Sequence, residues 1–216
     1  GFHIVRVVER KDDAMRSFVE VQTEIRDKIR KQKTDRQVKE YLAKLRANTP
    51  VWTREGCGPT SVVPAGDTLV VLCHREEVVA RITRDGDLVE IIDRDRDGRP
   101  FADPNAAGSD GRGGAYFSSS GVFGPGARAT GAILHLAADG TLSRVAENIH
   151  YANGVALSPD GGTLYASEHL GRRVLAFDVA ADGSLANLRA FVALDDLEGA
   201  DPDRGWELGP DGLAVD

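Results

Sequence analysis

Ala152-Asn153-Gly154 is the clearest of four related tripeptides that divide most of this chain into similar units. The other three are Pro59-Thr60-Ser61, Pro104-Asn105-Ala106 and Pro210-Asp211-Gly212. Their middle residues lie 45, 48 and 58 positions apart. A repeat of roughly 40–50 residues filled with short strand-like runs is typical of a β-propeller, in which each repeat forms one four-stranded blade. The spacing therefore predicts an all-β fold.

Each unit contains a series of short apolar runs that read as strands. These runs are 61–63, 68–72, 78–82 and 88–92 in the first unit, 115–118, 132–136 and 142–145 in the second, and 155–157, 164–167, 174–178 and 185–188 in the third. Asp-Gly dipeptides separate several of them and are typical of hairpin turns; they are Asp85-Gly86, Asp139-Gly140, Asp160-Gly161 and Asp182-Gly183. Residues 212–215 predict one more strand. The count predicts a partial propeller of about three blades.

The composition of the chain changes sharply near residue 50. Residues 11–48 are rich in charged side chains and Gln and contain neither Gly nor Pro, whereas residues 55–216 hold nearly all of the glycines. We therefore predict two domains, an N-terminal strand and helical extension over residues 1–50 and the partial propeller over residues 51–216.

Two capping boxes predict two helices in the extension. Ser17 with Glu20 precedes the first helix, and Thr34 with Gln37 precedes the second. Each predicted helix carries an apolar stripe that needs an apolar surface to cover it. Residues 2–8 predict a short strand ahead of the helices.

Charge and hydropathy argue against several classes of function. The formal net charge of −7 argues against a surface for nucleic acid or anionic membranes. No run of 18 apolar residues occurs and no secretory signal is visible, so we expect no membrane partner and a cytoplasmic location, although the start of the chain reads as truncated. Cys57 and Cys73 are too few for a disulfide framework and lack zinc-site spacing. We interpret both as free thiols, with a single bridge between them as the alternative.

Three of the four middle residues, Asn105, Asn153 and Asp211, carry amide or carboxylate oxygens. Because one position in each blade recurs around the axis of a propeller, we expect these residues to ring the central channel. Amide and carboxylate oxygens are the ligands that a hard divalent cation such as Ca²⁺ prefers. A turn role stays open for Asn153 and Asp211, since Asn-Gly and Asp-Gly are also common turn dipeptides.

Other polar residues are weaker candidates. Four histidines of the repeat region are interpreted as surface or packing residues: His74, His135, His150 and His169. Glu168-His169 is kept as a candidate for substrate contact, because it follows a strand that points toward the channel mouth. Residues 93–98 resemble the opening of a calcium-binding loop, but Pro104 stands where that loop needs a glutamate, so we predict a solvated loop.

Three stretches carry a resemblance to a known family. Residues 153–161 read Asn-Gly-Val-Ala-Leu-Ser-Pro-Asp-Gly, residues 209–213 read Gly-Pro-Asp-Gly-Leu, and residues 104–117 read Pro-Asn-Ala-Ala-Gly-Ser-Asp-Gly-Arg-Gly-Gly-Ala-Tyr-Phe. Over residues 56–216 the chain resembles the family of senescence marker protein (regucalcin), gluconolactonase and luciferin-regenerating enzyme. Members of that family are six-bladed propellers with one divalent metal, usually calcium, in the central channel.

The resemblance implies roles for individual residues. The metal ligands of the family fall on Asn105, Asn153 and Asp211, and the chain has no good match for the fourth ligand, a glutamate. An arginine that commonly lies two residues before the first ligand is replaced by Asp103, and the aspartate that usually follows that ligand is replaced by Ala106. Metal affinity and substrate choice are the two properties that these departures affect.

The function that the resemblance implies is metal-dependent hydrolysis of sugar or other lactones. Asp211 would be both a ligand and the general base or nucleophile. Related propellers also cleave organophosphate triesters, which need the same polarised oxygen. The alternative is a propeller fragment that binds a metal or a small molecule without catalysis.

Three blades do not close a ring, and the open edges would expose unpaired backbone groups. We therefore expect a homodimer that supplies six blades in total. Residues 1–48 resemble the C-terminal tail of parvulin-type prolyl isomerases, although the part of a parvulin that would hold the active site is missing. The interpretation of this extension is a helical addition that covers an edge or mediates assembly.

Overall fold

One long helix and twelve strands account for most of the described part of the chain, which in this computed structural model is residues 18–48, 52–197 and 208–215. The chain divides into two units, residues 1–50 and residues 51–216. The elements are α1 (Phe18–Asn48), β1 (Pro59–Ala65), β2 (Thr68–Cys73), β3 (Val78–Thr83), β4 (Leu88–Ile92), β5 (Pro104–Ser109), β6 (Ala115–Ser119), β7 (Gly131–Leu136), β8 (Leu142–Ile149), β9 (Ala152–Leu157), β10 (Thr163–Glu168), β11 (Arg173–Val179) and β12 (Leu185–Ala193), followed by a 3₁₀ turn at Leu194–Asp196.

The described part of the N-terminal unit, residues 18–48, is one helix where the sequence predicts two. Helix α1 runs for 31 residues, through the predicted second cap at Thr34. Since residues 11–48 contain no Gly or Pro, nothing in the backbone stops the first helix, and Thr34 with Gln37 is tolerated inside it. The large apolar side chains Ile29 and Val38 are exposed. The predicted strand at residues 2–8 and the cap at Ser17 lie outside the described residues.

The second unit is the predicted partial propeller. Its strands form three antiparallel four-stranded sheets, in the orders β1-β2-β3-β4, β5-β6-β7-β8 and β9-β10-β11-β12, which we call blades 1, 2 and 3. The Asp-Gly turns form as predicted, with Gly86, Gly140, Gly161 and Gly183 all at positive φ. Sequence alone therefore predicted the fold class and the number of blades. Completion of a six-bladed ring by a second copy stays a prediction.

The first strands of the three blades lie side by side. Strand β1 is next to β5, and β5 is next to β9. The Thr60 hydroxyl donates a hydrogen bond of 2.9 Å to the carbonyl oxygen of Pro104 in the neighbouring blade. Gly108 packs so closely on blade 3 that an added Cβ would lie 3.3 Å from the carbonyl oxygen of Val155. The repeated tripeptides at the start of β1, β5 and β9 are thereby brought to one end of the unit, which we call the inner-strand end.

Alternating side chains of the middle strands build two cores between the blades. In β6, Phe117 faces blade 1 and Tyr116 faces blade 3, and both are fully buried. The β7 residues Leu134 and Ile133 alternate in the same way. The period of two residues puts apolar side chains on both faces of blade 2, so this blade is buried between its neighbours.

Blades 1 and 3 each keep one apolar face without a further blade in the described residues. On blade 1 a smaller cluster around Val71 and Ile82 is partly covered by Trp52, and Val62 is exposed. On blade 3, Leu188 and Phe191 of β12 are exposed.

The two cysteines form a disulfide, so the interpretation as free thiols was wrong. Pairing of β1 with β2 sets Pro59 opposite Cys73, and the Arg75 amide donates to the carbonyl oxygen of Cys57. The pairing brings Cys57 beside Cys73, although neither residue has a spacing that indicates a bridge. Both cysteines are buried.

The predicted strand at residues 212–215 does not form either. Residues 208–215 have no strand assignment, although they lie against the first strand of blade 3. None of the described helices combines the length and the apolar character needed to cross a bilayer. The cytoplasmic location stays a prediction.

Candidate functional site

The inner-strand end collects the three predicted oxygen ligands. Asn105 is the second residue of β5, and Asn153 is the second residue of the neighbouring strand β9. Asp211 belongs to segment 208–215, which is hydrogen-bonded to Gly154 directly after Asn153. Three positions that are remote in the sequence therefore lie on consecutive inner segments, at the same end of each.

The backbone of Asp211 is held by blade 3 from two directions. The Gly154 amide donates to the Asp211 carbonyl oxygen at 3.0 Å, and the buried Ser167 hydroxyl donates to the same oxygen at 2.7 Å. One residue earlier, His169 Nδ1 donates to the carbonyl oxygen of Pro210 at 3.2 Å. These bonds use main-chain oxygens, so the Asp211 carboxylate keeps its own oxygens for a ligand. Its side chain belongs to an exposed residue.

A short hydrogen-bonded chain links Asn105 to Tyr151. Asn105 Nδ2 donates to the Ser120 hydroxyl oxygen at 3.1 Å, and Tyr151 is hydrogen-bonded to the same serine side chain. Burial raises the pKa of the Tyr151 phenol; the hydrogen bond with Ser120 opposes this, and the nearby carboxylates of Asp103 and Asp211 raise it further. The phenol therefore stays protonated at neutral pH and is available as a donor.

Asn153 is the most buried of the three predicted ligands, with 6% of its surface exposed. Within the part of the chain that the structure describes, no hydrogen bond involves its side-chain amide, and the amide atoms are not fully buried. The amide is therefore open to a ligand or to water. Asn105 in turn keeps its Oδ1 for another partner, because its bond to Ser120 uses Nδ2.

The backbone turns the same way before each inner strand. Gly58, Asp103 and Tyr151 each lie two residues before a repeated middle position, and their φ angles are 54°, 49° and 60°. This left-handed conformation is easy for Gly, tolerated by Asp and strained for Tyr. Strained residues of this kind persist where the surrounding structure holds them, often at functional sites.

A cavity of about 450 Å³ opens at this end, against Asp103 and Tyr151, and none of the three predicted ligands is among its lining residues. Its polar lining includes His74, Asp103, Ser119, Thr130, Arg144 and Tyr151, and Phe123 forms part of its apolar wall. His74 Nε2 lies 3.7 Å from Asp103 Oδ1. The ring of Phe123 packs against that of Tyr151 with centroids 4.8 Å apart.

The donor set at the inner-strand end fits a hard cation better than a soft one. No group of three or more His, Cys, Asp or Glu side chains is arranged to hold a metal ion within the described ranges. A cation at this end therefore has to use amide oxygens together with a carboxylate, which suits Ca²⁺ and disfavours metals that select thiolate or imidazole. The equivalent residue of blade 1, Thr60, uses its hydroxyl on Pro104 and adds no carboxylate.

One weaker prediction is corrected, and the other holds except at one residue, since residues 93, 94 and 96–98 of the predicted solvated loop are exposed. Glu168 is buried and accepts hydrogen bonds from the His150 amide and from Arg173, so its carboxylate is structural and does not face a substrate. Asp95 lies in the predicted solvated loop but is 5% exposed. It accepts hydrogen bonds from two backbone amides of its own loop and from Arg144 Nε at 3.1 Å, which explains its burial.

One buried pair was missed by sequence reasoning. His135 Nε2 donates to Asp110 Oδ2 at 2.9 Å, and the imidazole stacks on the Tyr116 ring with centroids 4.4 Å apart. Burial would raise the pKa of Asp110, but the bonds from His135 and from the amides of Arg112 and Gly114 outweigh it and lower that pKa. The pair lies beyond the far end of β5 from Asn105, so it supports the fold and not the candidate site. The one feature of the sequence that pointed to this pair was the presence of Asp110 in the stretch 104–117.

Comparison with known proteins gives consistent matches. A sequence profile described as the SMP-30/gluconolactonase/LRE-like region matches residues 16–216. An L-arabinolactonase of Azospirillum brasilense is 40% identical over 77 residues, which are 35% of this chain and 25% of that protein. A solved gluconolactonase of Xanthomonas campestris superposes with a TM-score of 0.53 at 27% identity, covering 65% of this chain and 50% of that one.

The matched part of the chain therefore spans a quarter of the arabinolactonase and half of the gluconolactonase. The profile begins inside the N-terminal extension, and none of these matches supports the resemblance of residues 1–48 to a parvulin tail.

Proposed function

The chain belongs to the SMP-30/gluconolactonase/LRE-like family, and from that premise we propose that residues 51–216 form part of the catalytic propeller of a metal-dependent lactonase. The observation that supports this proposal is the meeting of Asn105, Asn153 and Asp211 at the same end of consecutive inner segments. Residues 1–50 are a separate extension in this proposal.

In this proposal Asn105 Oδ1, the Asn153 amide oxygen and the Asp211 carboxylate hold the cation. Ca²⁺ is the best match, because two neutral amides and one carboxylate are oxygen ligands of low total charge. A bound divalent cation supplies Lewis-acid polarisation of the lactone carbonyl.

Asp211 carries the proton chemistry of the proposed reaction. Its carboxylate accepts a proton from the water that attacks the lactone carbonyl carbon, and the ring C–O bond then breaks as Asp211 passes this proton to the leaving ring oxygen, which gives the hydroxy acid. The hydrogen bonds from Gly154 and Ser167 to its main-chain oxygen fix the backbone position from which the Asp211 side chain extends. The Tyr151 phenol, held protonated by burial, is a donor beside it.

Aryl phosphotriesters are a second substrate class in this proposal. Their phosphoryl oxygen requires the same polarisation as a lactone carbonyl, and attack by water again needs a base such as Asp211.

A non-catalytic binding fragment is the second candidate function. The observation that favours it is the occupied hydroxyl of Thr60, which leaves blade 1 without a carboxylate at the repeated position. A cation held by three side chains is bound more weakly and leaves more positions for water.

We further propose that two copies of the chain assemble into a homodimer that completes the ring. The exposed apolar residues Val62 on blade 1 and Phe191 on blade 3 support this. Blade 2, which lies between two other blades, buries both of its faces, so blades 1 and 3 each have an apolar face that a further blade could cover. Light scattering coupled to size exclusion would then give about twice the chain mass of 23.2 kDa, and a single-chain mass would contradict the dimer.

The test of catalysis is hydrolysis of L-arabinono-1,4-lactone, glucono-1,5-lactone and an aryl phosphotriester, with and without EDTA. We expect turnover that EDTA abolishes, that Ca²⁺ restores, and that Asp211→Ala eliminates. Asp67→Ala is the matched control, since Asp67 is an exposed aspartate in the β1–β2 turn at the opposite end of blade 1. Ca²⁺ binding without turnover would favour the second candidate. Turnover that survives both EDTA and Asp211→Ala would refute the metal-dependent mechanism.

A further inference from the structure

The cavity against Asp103 and Tyr151 has a polar wall made by two residues from different blades. His74 lies just after β2 in blade 1, and Asp103 lies just before β5 in blade 2. Their side chains are 36% and 41% exposed, so a ligand in the cavity reaches both. Asp103 has a left-handed backbone, with φ of 49°, and lines the cavity.

The separation of the two side chains suits one kind of ligand group. His74 Nε2 and Asp103 Oδ1 are 3.7 Å apart, which is too long for a direct hydrogen bond. His74 Nδ1 is buried and has no hydrogen-bond partner among the described residues, and a buried N–H without an acceptor is rarer and costlier than a buried lone pair. A proton on Nε2 leaves only a lone pair at the buried Nδ1, so Nε2–H is the donor that lies next to Asp103. A hydroxyl group is both an acceptor and a donor, so it bridges His74 Nε2–H and the Asp103 carboxylate.

The opposite wall suits the carbon face of a ring. Phe123 is 49% exposed, and its ring packs on Tyr151 within the cavity lining. An exposed aromatic ring buries C–H groups of a ligand while the hydroxyls of that ligand point to polar partners.

The charges around the cavity disfavour an anion. The Asp103 carboxylate lines the cavity and lies close enough to Tyr151 to affect its phenol, whereas the charge of Asp211 is taken up by the cation in the proposed function. Arg144 also lines the cavity, but its guanidinium is bonded to the Asp95 carboxylate, which it shares with Arg99, and to the Pro100 carbonyl oxygen, so these donors are used by the protein. A carboxylate on the ligand would meet the carboxylate of Asp103, whose ionisable neighbour is His74 at 3.7 Å, at short range.

We propose that His74 and Asp103 form a hydroxyl-binding subsite that selects neutral hydroxylated ring compounds and rejects anionic ones. The proposal rests on the proposed function for the reaction, since the bound ring is taken to be the lactone, but it makes a separate claim about binding. Asp103 is the specificity-determining residue, because it sets the charge of the cavity wall.

The test compares two five-membered lactones, L-arabinono-1,4-lactone, which is neutral, and D-glucaro-1,4-lactone, which carries a free carboxylate. Dissociation constants are measured by calorimetry on the Asp211→Asn chain, in which the proposed base is removed so that neither lactone is consumed. We expect the neutral lactone to bind at least tenfold more tightly than the anionic one, and we expect added salt to reduce this ratio.

Three further variants of the Asp211→Asn chain separate the contributions of Asp103 and His74 to lactone binding. Asp103→Asn keeps a residue that tolerates positive φ, and we expect it to bind the anionic lactone about tenfold more tightly while changing the neutral lactone less than threefold. His74→Leu removes the donor and is expected to weaken the neutral lactone about tenfold. Asp67→Asn removes the same unit of charge at the far end of blade 1 and is expected to change neither constant.

The outcomes distinguish this inference from the proposed function. An unchanged ratio in Asp103→Asn, equal affinities in the parent, or no binding of either lactone would each overturn the subsite. If the native chain hydrolyses no lactone but the expected ratios hold, the subsite stands and the lactonase proposal fails. If the native chain hydrolyses both lactones and Asp103→Asn leaves the ratio of their kcat/KM values unchanged, the lactonase proposal stands and the subsite fails.

Discussion

The main-chain amide of Gly154 lies 3.0 Å from the carbonyl oxygen of Asp211, to which it donates a hydrogen bond. This contact joins the first strand of blade 3 to a segment that begins 54 residues later and has no strand pairing of its own. Because Asn153 immediately precedes Gly154, the same contact sets the separation between two of the three proposed ligands. The geometry of the candidate site therefore depends on how closely segment 208–215 approaches β9.

Gly154→Ala is expected to displace Asp211. An added Cβ would overlap the Asp211 carbonyl oxygen and lie 2.6 Å from the Leu213 amide, and both are backbone atoms that do not move aside easily. We expect Tb³⁺ luminescence titrations to show at least a tenfold loss of affinity for the cation, together with a loss of about 1–3 kcal/mol in the free energy of unfolding.

Gly212→Ala is the matched control for this substitution. Gly212 lies in the same segment, and its added Cβ would meet no atom within 4 Å. We expect both the Tb³⁺ affinity and the melting temperature of this variant to stay near those of the native chain. Equal affinities in the two variants would show that the approach to Gly154 does not control the site.

Asn153→Ala is expected to weaken cation binding more than it weakens the fold. The Asn153 amide makes no hydrogen bond within the described residues, so removing it deletes no protein hydrogen bond. We expect nearly unchanged stability in urea unfolding and a Tb³⁺ affinity at least tenfold lower. A stability loss without any change in affinity would assign this residue a structural role.

The comparison for Asn153→Ala is Asn187→Gly. Asn187 lies on the outer strand β12, and its amide donates to Asp178 Oδ2 at 2.8 Å. Its φ of 51° makes Gly the substitution that adds no backbone strain. We expect this variant to leave cation affinity unchanged.

Asp110→Asn is expected to lower stability and to flatten its dependence on acid pH. The pKa of Asp110 is lowered in the folded chain, because its bonds to His135 and to the amides of Arg112 and Gly114 outweigh the effect of burial. A group with a depressed folded pKa stabilises the fold above its ordinary value of 3.8 and loses that contribution as pH falls through the folded pKa. The native chain should therefore lose stability below about pH 4 through this group.

Urea unfolding between neutral pH and the acid range measures this effect. We expect Asp110→Asn to be about 2 kcal/mol less stable at neutral pH, since it weakens charge-assisted hydrogen bonds, and to approach the native chain as the pH falls. Asp67→Asn is again the control. Parallel stability curves for Asp110→Asn and the native chain would contradict a charged Asp110.

The sequence allowed prediction of the blades because their signals are local. The alternation at Tyr116 and Phe117 and the Asp-Gly turn at Asp139-Gly140 act over a few residues, and tertiary packing agrees with them. The placement of Asn105 and Asn153 at one end follows from the repeat itself, because equivalent positions of successive blades are neighbours.

The features that were missed depend on contacts between distant residues. His135 meets Asp110 across 25 positions, and nothing in either local sequence identifies the other as its partner. Residues 212–215 read as a strand, but no neighbouring strand in the described residues pairs with them. The helix was divided wrongly because Thr34 with Gln37 has the composition of a cap, and only the continued backbone hydrogen bonding of α1 decides against one.

The disulfide joins the residues before β1 to the end of β2 in blade 1, directly beside His74. Cys57 and Cys73 close a loop with a sequence separation of 16, and a cross-link of this length stabilises a fold by about 3 kcal/mol, mainly by restricting the unfolded chain. We expect the double variant Cys57→Ala, Cys73→Ala to lose about that amount in urea unfolding. Alkylation in denaturant should modify neither cysteine of the native chain before reduction and both afterwards.

Reduction should reproduce the effect of the double substitution and should not add to it. Both cysteines are buried, so the reductant acts only when the start of blade 1 opens. Because Cys73 is followed directly by His74, loosening this end of β2 is also expected to weaken binding of the neutral lactone, whereas the Tb³⁺ affinity set by blades 2 and 3 should persist. Free thiols in the unreduced chain would contradict the bridge, and equal losses of lactone and cation binding would show that the two sites are not separable.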